Sequence, residues 1–470
     1  MNSSRNKYLI KNTLIFTLGN LGSKLISFFL IPLYTNALTT TQYGTVDLVT
    51  TVSTVAVPIL TLNICESVMR FALDKNADTR QITQIGTNIF LIGCLIGLII
   101  IPTCSCFEQI SQYSVLVYFY VISLAASQLY LCDLRGKELL LHYSIGNIIH
   151  TLMIAVFNIL FLLLFEQGIE GYLLAYILSN VITTVYALCI GKGYKSFGMR
   201  KVDKSLLVHM AKYSLVLIPN SFMWWIMNSS DRIMVSSMVG IAANGIYAVS
   251  YKLPTLVSTL TAIFNQAWSY SAIKEKGSLD ENEYNNRVFN MLITIVMAIG
   301  VGLMTFIKPF LKIYVTPEYF SAWEYTPFLI IGCVYLTMST FMATSYTVHK
   351  DSFGYLFSGM FGAVLNVILN FLLIPMIGVY GAAIATCISY ICVFGFRLIH
   401  TKKYINYKVR NFPFIFGSTI LFLSGCLMFW NSSFGFALQI VLFVVYLCSV
   451  YKVWLPIIKT AAKALKRKKR

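Results

Sequence analysis

Residues 82–102 read ITQIGTNIFLIGCLIGLIIIP, 21 positions without one charged side chain. A bilayer hydrocarbon core about 30 Å thick takes roughly 20 such residues as a helix. Comparable runs recur outward in both directions. Bounded by charge, Pro or Gly, they predict fourteen spans: 12–36, 44–69, 82–102, 114–132, 142–165, 171–190, 213–239, 246–271, 288–307, 325–347, 353–375, 379–400, 412–430 and 434–455. Of the 470 residues, 57% are hydrophobic and 11% charged, whereas soluble domains carry about a quarter charged residues. The fold class that follows is all-α: a polytopic membrane protein with no sizeable aqueous domain, since the longest polar connections are 192–212 and 274–287. The first run exceeds the roughly 7–15 residues of a signal-peptide core, so it is expected to stay as a helix.

Charge orients the spans. With a cytoplasmic N-terminus, 31 of the 36 Lys and Arg fall on the cytoplasmic side, counting Arg397 and Lys452 at the cytoplasmic ends of their spans. Lys308 and Lys312 fall outside, and Lys24, Arg232 and Lys252 lie within spans. This asymmetry puts both termini in the cytoplasm and accounts for most of the +18 net charge. The basic tail 457–470 then meets anionic lipid headgroups, not nucleic acid.

A shift of 201 residues lays Lys11-Asn12-Thr13-Leu14-Ile15 over Lys212-Tyr213-Ser214-Leu215-Val216, and Tyr43-Gly44 over Asn244-Gly245. Six spans per copy make a parallel repeat. The expected organisation is a six-helix lobe at 1–191, a cytoplasmic linker at 192–212, a second six-helix lobe at 213–400, two additional helices at 401–456, and the tail.

Polar residues inside the spans mark candidate binding positions. Thr13, Thr17, Asn20, Lys24 and Ser27 share one face of the first span, with Lys24 near mid-bilayer. A cation there costs at least about 2.5–3.5 kcal/mol, so it faces water or a partner. Asn220, Trp224, Asn228 and Arg232 recur every four residues in the seventh span. Lys252, Thr255, Thr259 and Gln266 share a face of the eighth. Arg232 and the neighbouring Asp231 point about 100° apart, and Asp47, in the outer half of the second span, is the natural counter-ion for Arg232 or Lys252. Glu66 precedes Arg70 by one turn, the favourable order for an ion pair.

Asn147, Thr151 and Asn158, and likewise Asn366 with Asn370, form same-face sets that either line a cavity or bond between helices. His150 and His209 read as hydrogen-bonded helix-end residues. The eleven cysteines show no CxxC or zinc spacing and read mostly as small core residues, with Cys104 and Cys106 two unpaired thiols near an outer loop. No metal site, cofactor motif, phosphate loop or paired catalytic carboxylates stand out, which argues against an enzyme.

These residues resemble the polysaccharide repeat-unit flippases of the multidrug/oligosaccharidyl-lipid/polysaccharide exporter superfamily. The resemblance covers the first twelve spans. It rests on residues 12–32 with Tyr43-Gly44, on Arg70-Phe71, on Asp231-Arg232 with Gly245, Tyr247-Ala248 and Lys252, and on Asn366, Asn370, Ile374-Pro375, Gly378 and residues 381–386. It implies two six-helix lobes around a cationic cavity in a bacterial inner membrane. It also implies an undecaprenyl-diphosphate-linked oligosaccharide as substrate, carried for O-antigen, capsule or another surface polymer, with a polysaccharide polymerase and a chain-length regulator as partners. The substrate-binding set is then Lys24, Arg232, Lys252, Asn20, Asn228, Asp47 and Arg70. The stripe Lys24, Arg232, Lys252, Asp47 and Asp231 sums only to +1, a weak cavity charge for a diphosphate. Alternatives are a cation-coupled drug exporter or a lipid II flippase of the same superfamily and, from another class, a membrane polysaccharide polymerase or glycosyltransferase.

Overall fold

The computed structural model describes residues 22, 26–74, 77–103, 108–197, 202–409, 412–430 and 432–451. Their order is α1 (Ile31–Ala37), α2 (Thr40–Leu60), α3 (Ile64–Ala72), α4 (Thr79–Thr103), α5 (Ser114–Gly136), α6 (Leu140–Asn158), α7 (Gly168–Ile190), α8 (Lys204–Met238), α9 (Ile241–Ser250), α10 (Lys252–Glu275), α11 (Glu281–Tyr314), α12 (Thr326–Val348), α13 (Ser352–Ile377), α14 (Val379–His400), α15 (Phe412–Leu427) and α16 (Ser433–Ser449). Where their residues are described, the fourteen predicted spans fall on these helices. Among the described residues nine helices are long and apolar enough to cross a bilayer. Their outward faces carry side chains such as Leu95, Ile99, Phe371 and Leu372, each more than half exposed, a surface that a bilayer covers and water would not tolerate.

Local signals set the helix starts. Thr39 and Gln42 form a reciprocal capping box ahead of α2, satisfying two backbone donors at once. Asp203 accepts from the Ser205 amide at 2.8 Å to open α8, so that helix begins inside the stretch expected to be linker. α11 likewise begins at Glu281, within the second long polar connection. The polar opening turns of both helices hid them from a search for apolar runs. Serine and threonine hydroxyls along the spans bond back to carbonyls four residues earlier, as Ser53 does to Val49 at 2.6 Å, which hides their polarity from lipid.

The second span is not one helix. α2 ends in a turn in which the Asn63 amide donates to Pro58 at 2.7 Å, and Leu62 and Asn63 both take φ of 51°. This six-to-one closure is how helices normally terminate, and α3 then starts afresh. The eighth span breaks between α9 and α10 near Pro254, which has no N–H to offer the Ser250 carbonyl. The fifth span finishes in a π-turn, Ile159–Leu164.

By its internal contacts the chain divides into two compact units, 1–245 and 246–470. In the first, α5 packs on α3, α4 and α7, and α8 runs against both α2 and α3. In the second, α12 is central: 83% of its apolar window is buried, against 28% for α13. It packs on α10, α11 and α14, with Phe341 stacked on Trp268 at 4.7 Å and on Phe289 at 5.2 Å. α15 and α16 lie on α11, where Tyr446 donates to Thr294 at 3.3 Å and Lys308 donates to Met428 at 2.6 Å, just past the end of α15. A cation at a helix C-terminus also meets the negative end of its dipole.

Candidate functional site

Within the first unit, α8 is stitched to the second span along most of its length. Ser67 donates to the Met210 carbonyl at 2.6 Å, and Ser214 donates to Ser67 at 2.8 Å. Further along, the Trp225 indole donates to the Thr51 carbonyl at 2.9 Å. The seam ends in an ion pair: Arg232 Nη1 lies 2.8 Å from Asp47 Oδ1. The arginine side chain is 18% exposed and the carboxylate side chain 6%. A charge so far from water persists only when paired and hydrogen-bonded.

Asn244 completes the group. Its Nδ2 donates to the Gly44 carbonyl at 3.2 Å and to Asp47 Oδ2 at 3.3 Å, and the residue is wholly buried. Asp231, also buried, accepts from the Arg232 backbone amide at 2.9 Å. The backbones come this close because Gly44 and Gly245 face one another. A Cβ on Gly44 would collide with the Ile241 carbonyl oxygen, and one on Gly245 with that of Thr40. Thr40 and Gly44 are the repeat-equivalents of Ile241 and Gly245, so the contact is reciprocal at the 201-residue shift.

Beside it lies a tyrosine cluster that the sequence did not reveal. Tyr43, one turn before Asp47, stacks on Tyr34 at 6.2 Å; Tyr34 meets Tyr172 at 5.2 Å, and Tyr172 stacks on Tyr176 at 4.7 Å. The rings come from α1, α2 and α7. Aromatic residues scattered over three helices leave no spacing in the sequence to find.

Of the residues singled out beforehand, Arg232 and Asp47 come together. Asn228 lies one turn before Arg232 on α8 and is half-buried. Lys252 belongs to the second unit, as the half-buried first residue of α10. Lys24 and Asn20 lie outside the described residues, as do Cys104 and Cys106 and the side chains of Asn220, Trp224 and Gln266. Arg70 does not reach back to Glu66. Its Nη1 turns forward to Asp74 at 2.7 Å, both side chains being more than half exposed, a pairing worth little in that setting.

The same-face amides act as packing elements. Asn147 and Asn158 bond back to their own helix, while Asn370 donates to Asn366 at 2.9 Å and Asn366 to Thr386 on α14 at 3.3 Å. His150 is hydrogen-bonded to Asn180 at 2.9 Å and His209 to the Ser205 carbonyl at 2.7 Å. Cys132, Cys333 and Cys387 are buried as expected, but Cys189, Cys426 and Cys448 are exposed. In the second unit Arg397 is 4% exposed, held by Ser358 at 3.1 Å and by the Ser339 carbonyl and hydroxyl at 3.2 Å; it ties α12, α13 and α14 together.

These features define an all-α polytopic membrane protein with charged groups retained inside its spans. The chain belongs to the polysaccharide biosynthesis protein family, whose profile matches residues 9–270. A curated relative, "Lsg locus putative protein 1" of Haemophilus influenzae, is 23% identical over 301 residues, 62% of this chain and 73% of that protein. An uncharacterised membrane protein of Methanocaldococcus jannaschii is 23% identical over 297 residues, 59% of this chain and 57% of its own length. The chain thus spans little more than half of that archaeal relative. Among solved structures, the lipid II flippase MurJ in an inward closed conformation has a TM-score of 0.66 at 13% identity, covering 95% of this chain and 99% of that one. An inward-facing multidrug resistance transporter of the MATE family has a TM-score of 0.60 at 14% identity, covering 89% and 96%. The fold is that of the multidrug/oligosaccharidyl-lipid/polysaccharide exporter superfamily.

Proposed function

We propose that this protein is a flippase that moves undecaprenyl-diphosphate-linked oligosaccharide units from the cytoplasmic to the outer leaflet of a bacterial inner membrane by alternating access. The units supply surface polysaccharide, such as O-antigen or capsule. Family membership supports the polysaccharide role, and the retention of Arg232 within a span supports the anionic headgroup. A diphosphate needs Lys or Arg donors, a glycan needs amides and hydroxyls, and a polyprenyl tail can stay in lipid while its head crosses. Arg232, Lys252 and Lys24 are assigned to the diphosphate, with Asn20 and Asn228 on the glycan. Asp47 is the counter-charge, and Arg70 attracts the headgroup at the cytoplasmic mouth. No chemical step is required of the protein. A polymerase and a chain-length regulator would act on the delivered units.

The observation that carries this reading is the part-buried ion pair of Arg232 with Asp47 inside a chain of the polysaccharide biosynthesis family. Deleting the gene tests it. Lipid-linked repeat units are expected to accumulate on the cytoplasmic leaflet and surface polymer to disappear, with glycosyltransferase activity unchanged. Normal surface polymer together with new drug sensitivity would favour the cation-coupled exporter instead.

A further inference from the structure

Arg232 occupies two roles that cannot be filled at once. A guanidinium presents a planar fork that fits a carboxylate and a phosphate equally well, and here the chain's own Asp47 carboxylate sits 2.8 Å from Nη1. We infer that Asp47 is an internal stand-in for the substrate's phosphate, an autoinhibitory contact that holds Arg232 until an incoming diphosphate displaces it. The inference rests on the reading of Arg232 as an anion donor.

Three features fit displacement better than a permanent structural bridge. The arginine side chain is 18% exposed while its partner is 6% exposed, so an anion can approach Arg232 without first unpacking Asp47. The carboxylate is also loosely supported. One N–H of the Asn244 amide reaches Asp47 Oδ2 only at a long 3.3 Å, and the other goes to the Gly44 carbonyl at 3.2 Å. In addition, Asn244 Oδ1 is buried with no hydrogen-bond partner among the described residues. A buried acceptor left unanswered costs free energy, so the resting arrangement is held below its full strength. A diphosphate offers more negative charge than one carboxylate and wins the fork when it arrives. Because Asn244, which supports Asp47, also holds the Gly44 carbonyl, freeing Arg232 loosens the end of the seam between α2 and α8. Headgroup binding is thereby linked to the contact that must yield.

The test uses the full-length protein in lipid nanodiscs, with inorganic pyrophosphate as the probe and isothermal titration calorimetry as the readout. Asp47→Asn, which keeps the shape and removes the competing charge, is expected to bind pyrophosphate about tenfold more tightly, the scale of one partly buried charge contact. Arg232→Gln is expected to lose binding. In the unaltered protein, pyrophosphate is expected to increase modification of Asp47 by a hydrophobic carbodiimide, read by peptide mass spectrometry. This second measurement stands if Asp47→Asn does not fold. Pyrophosphate binding that depends on Arg232, but is no tighter in Asp47→Asn and leaves Asp47 labelling unchanged, overturns the competition and leaves the anion site intact. Equal binding to Arg232→Gln and the unaltered protein, or no binding to either protein or to Asp47→Asn, removes the anion site itself and the inference with it.

Discussion

Asp47 and Arg232, 185 positions apart in the chain, meet at 2.8 Å where the seam between α2 and α8 ends. Removing either one strands the other in a poorly solvated place. Asp47→Ala and Arg232→Ala are each expected to lower thermal stability in detergent. The double replacement should cost less than the sum of the two, with a coupling of about 1 kcal/mol or more in a double-mutant cycle. Strict additivity would mean that the pair contributes nothing beyond its separate contacts.

Gly44→Ala and Gly245→Ala place a methyl group against a backbone carbonyl that cannot swing away. Each is expected to destabilise by about 1–3 kcal/mol, the usual scale for overpacking, and to reduce the amount of protein in the membrane. Among the described residues, Gly359 and Gly395 have no atom within 4 Å of an added Cβ outside their own stretch of helix. Alanine at those two positions should leave abundance unchanged, which separates a steric effect from a general intolerance of alanine.

Neutral replacements of the intramembrane cations probe the transport reading. Lys24→Ala and Lys252→Ala are expected to reach the membrane at normal levels and fail to restore surface polymer in the deletion strain. Arg232→Ala needs Asp47→Asn beside it, so that no carboxylate is stranded. Lys24→Arg and Lys252→Arg should retain partial export because a point charge suffices, while Arg232→Lys should do worse where a two-pronged donor is needed. Full complementation by all the neutral variants would rule out a cationic headgroup site.

Asp351 provides an acid-side prediction. Its carboxylate accepts from the Gly354 amide at 2.8 Å to cap α13, and also from Lys403 at 3.0 Å and Tyr404 at 2.8 Å. These bonds, the backbone one foremost, lower its pKa from 3.8 to about 2. A carboxyl group held below its unfolded value adds stability that is fully present above the unfolded pKa and fades as pH falls through the folded one. Thermal stability measured against pH should therefore lose a component between pH 4 and 2, and Asp351→Ala should flatten that part of the curve while lowering stability at neutral pH.

Sidedness follows from the distribution of Lys and Arg. Reporter fusions after Ala77, Lys201 and Ile405 are expected to signal cytoplasm, and those after Thr41, Glu108, Gln167 and Asn431 the opposite face. A cytoplasmic signal at Gln167 would break both the span count and the internal repeat.

Much of this architecture was legible because lipid enforces a simple rule: an uncharged run near twenty residues long is a helix. The interruptions were not. Leu62 lies in an apolar run and carries no signal for its positive φ, and the π-turn after Asn158 is built from Ile, Leu and Phe, which serve an ordinary helix as well. The charges in the spans announced that partners must exist, and Asp47 with Arg232 was one of two pairings that charge and depth allowed. The role of Asn244 was hidden, because its repeat-equivalence to Tyr43 says nothing about a hydrogen bond across 197 positions. The pairing expected for Arg70 failed because Asp74 is equally one turn away on the other side, and local spacing does not choose between them.

The lengths of α8 and α11 set a condition on the membrane itself. At 35 and 34 residues each extends about 50 Å, beyond the roughly 40–45 Å of a bilayer with its headgroups. Such rods must lean or protrude, and how far they do so depends on acyl chain length. The host's lipid composition thus becomes a variable in the working of the protein, and a strain that remodels its fatty acids with temperature also retunes the tilt of the helix that carries Arg232.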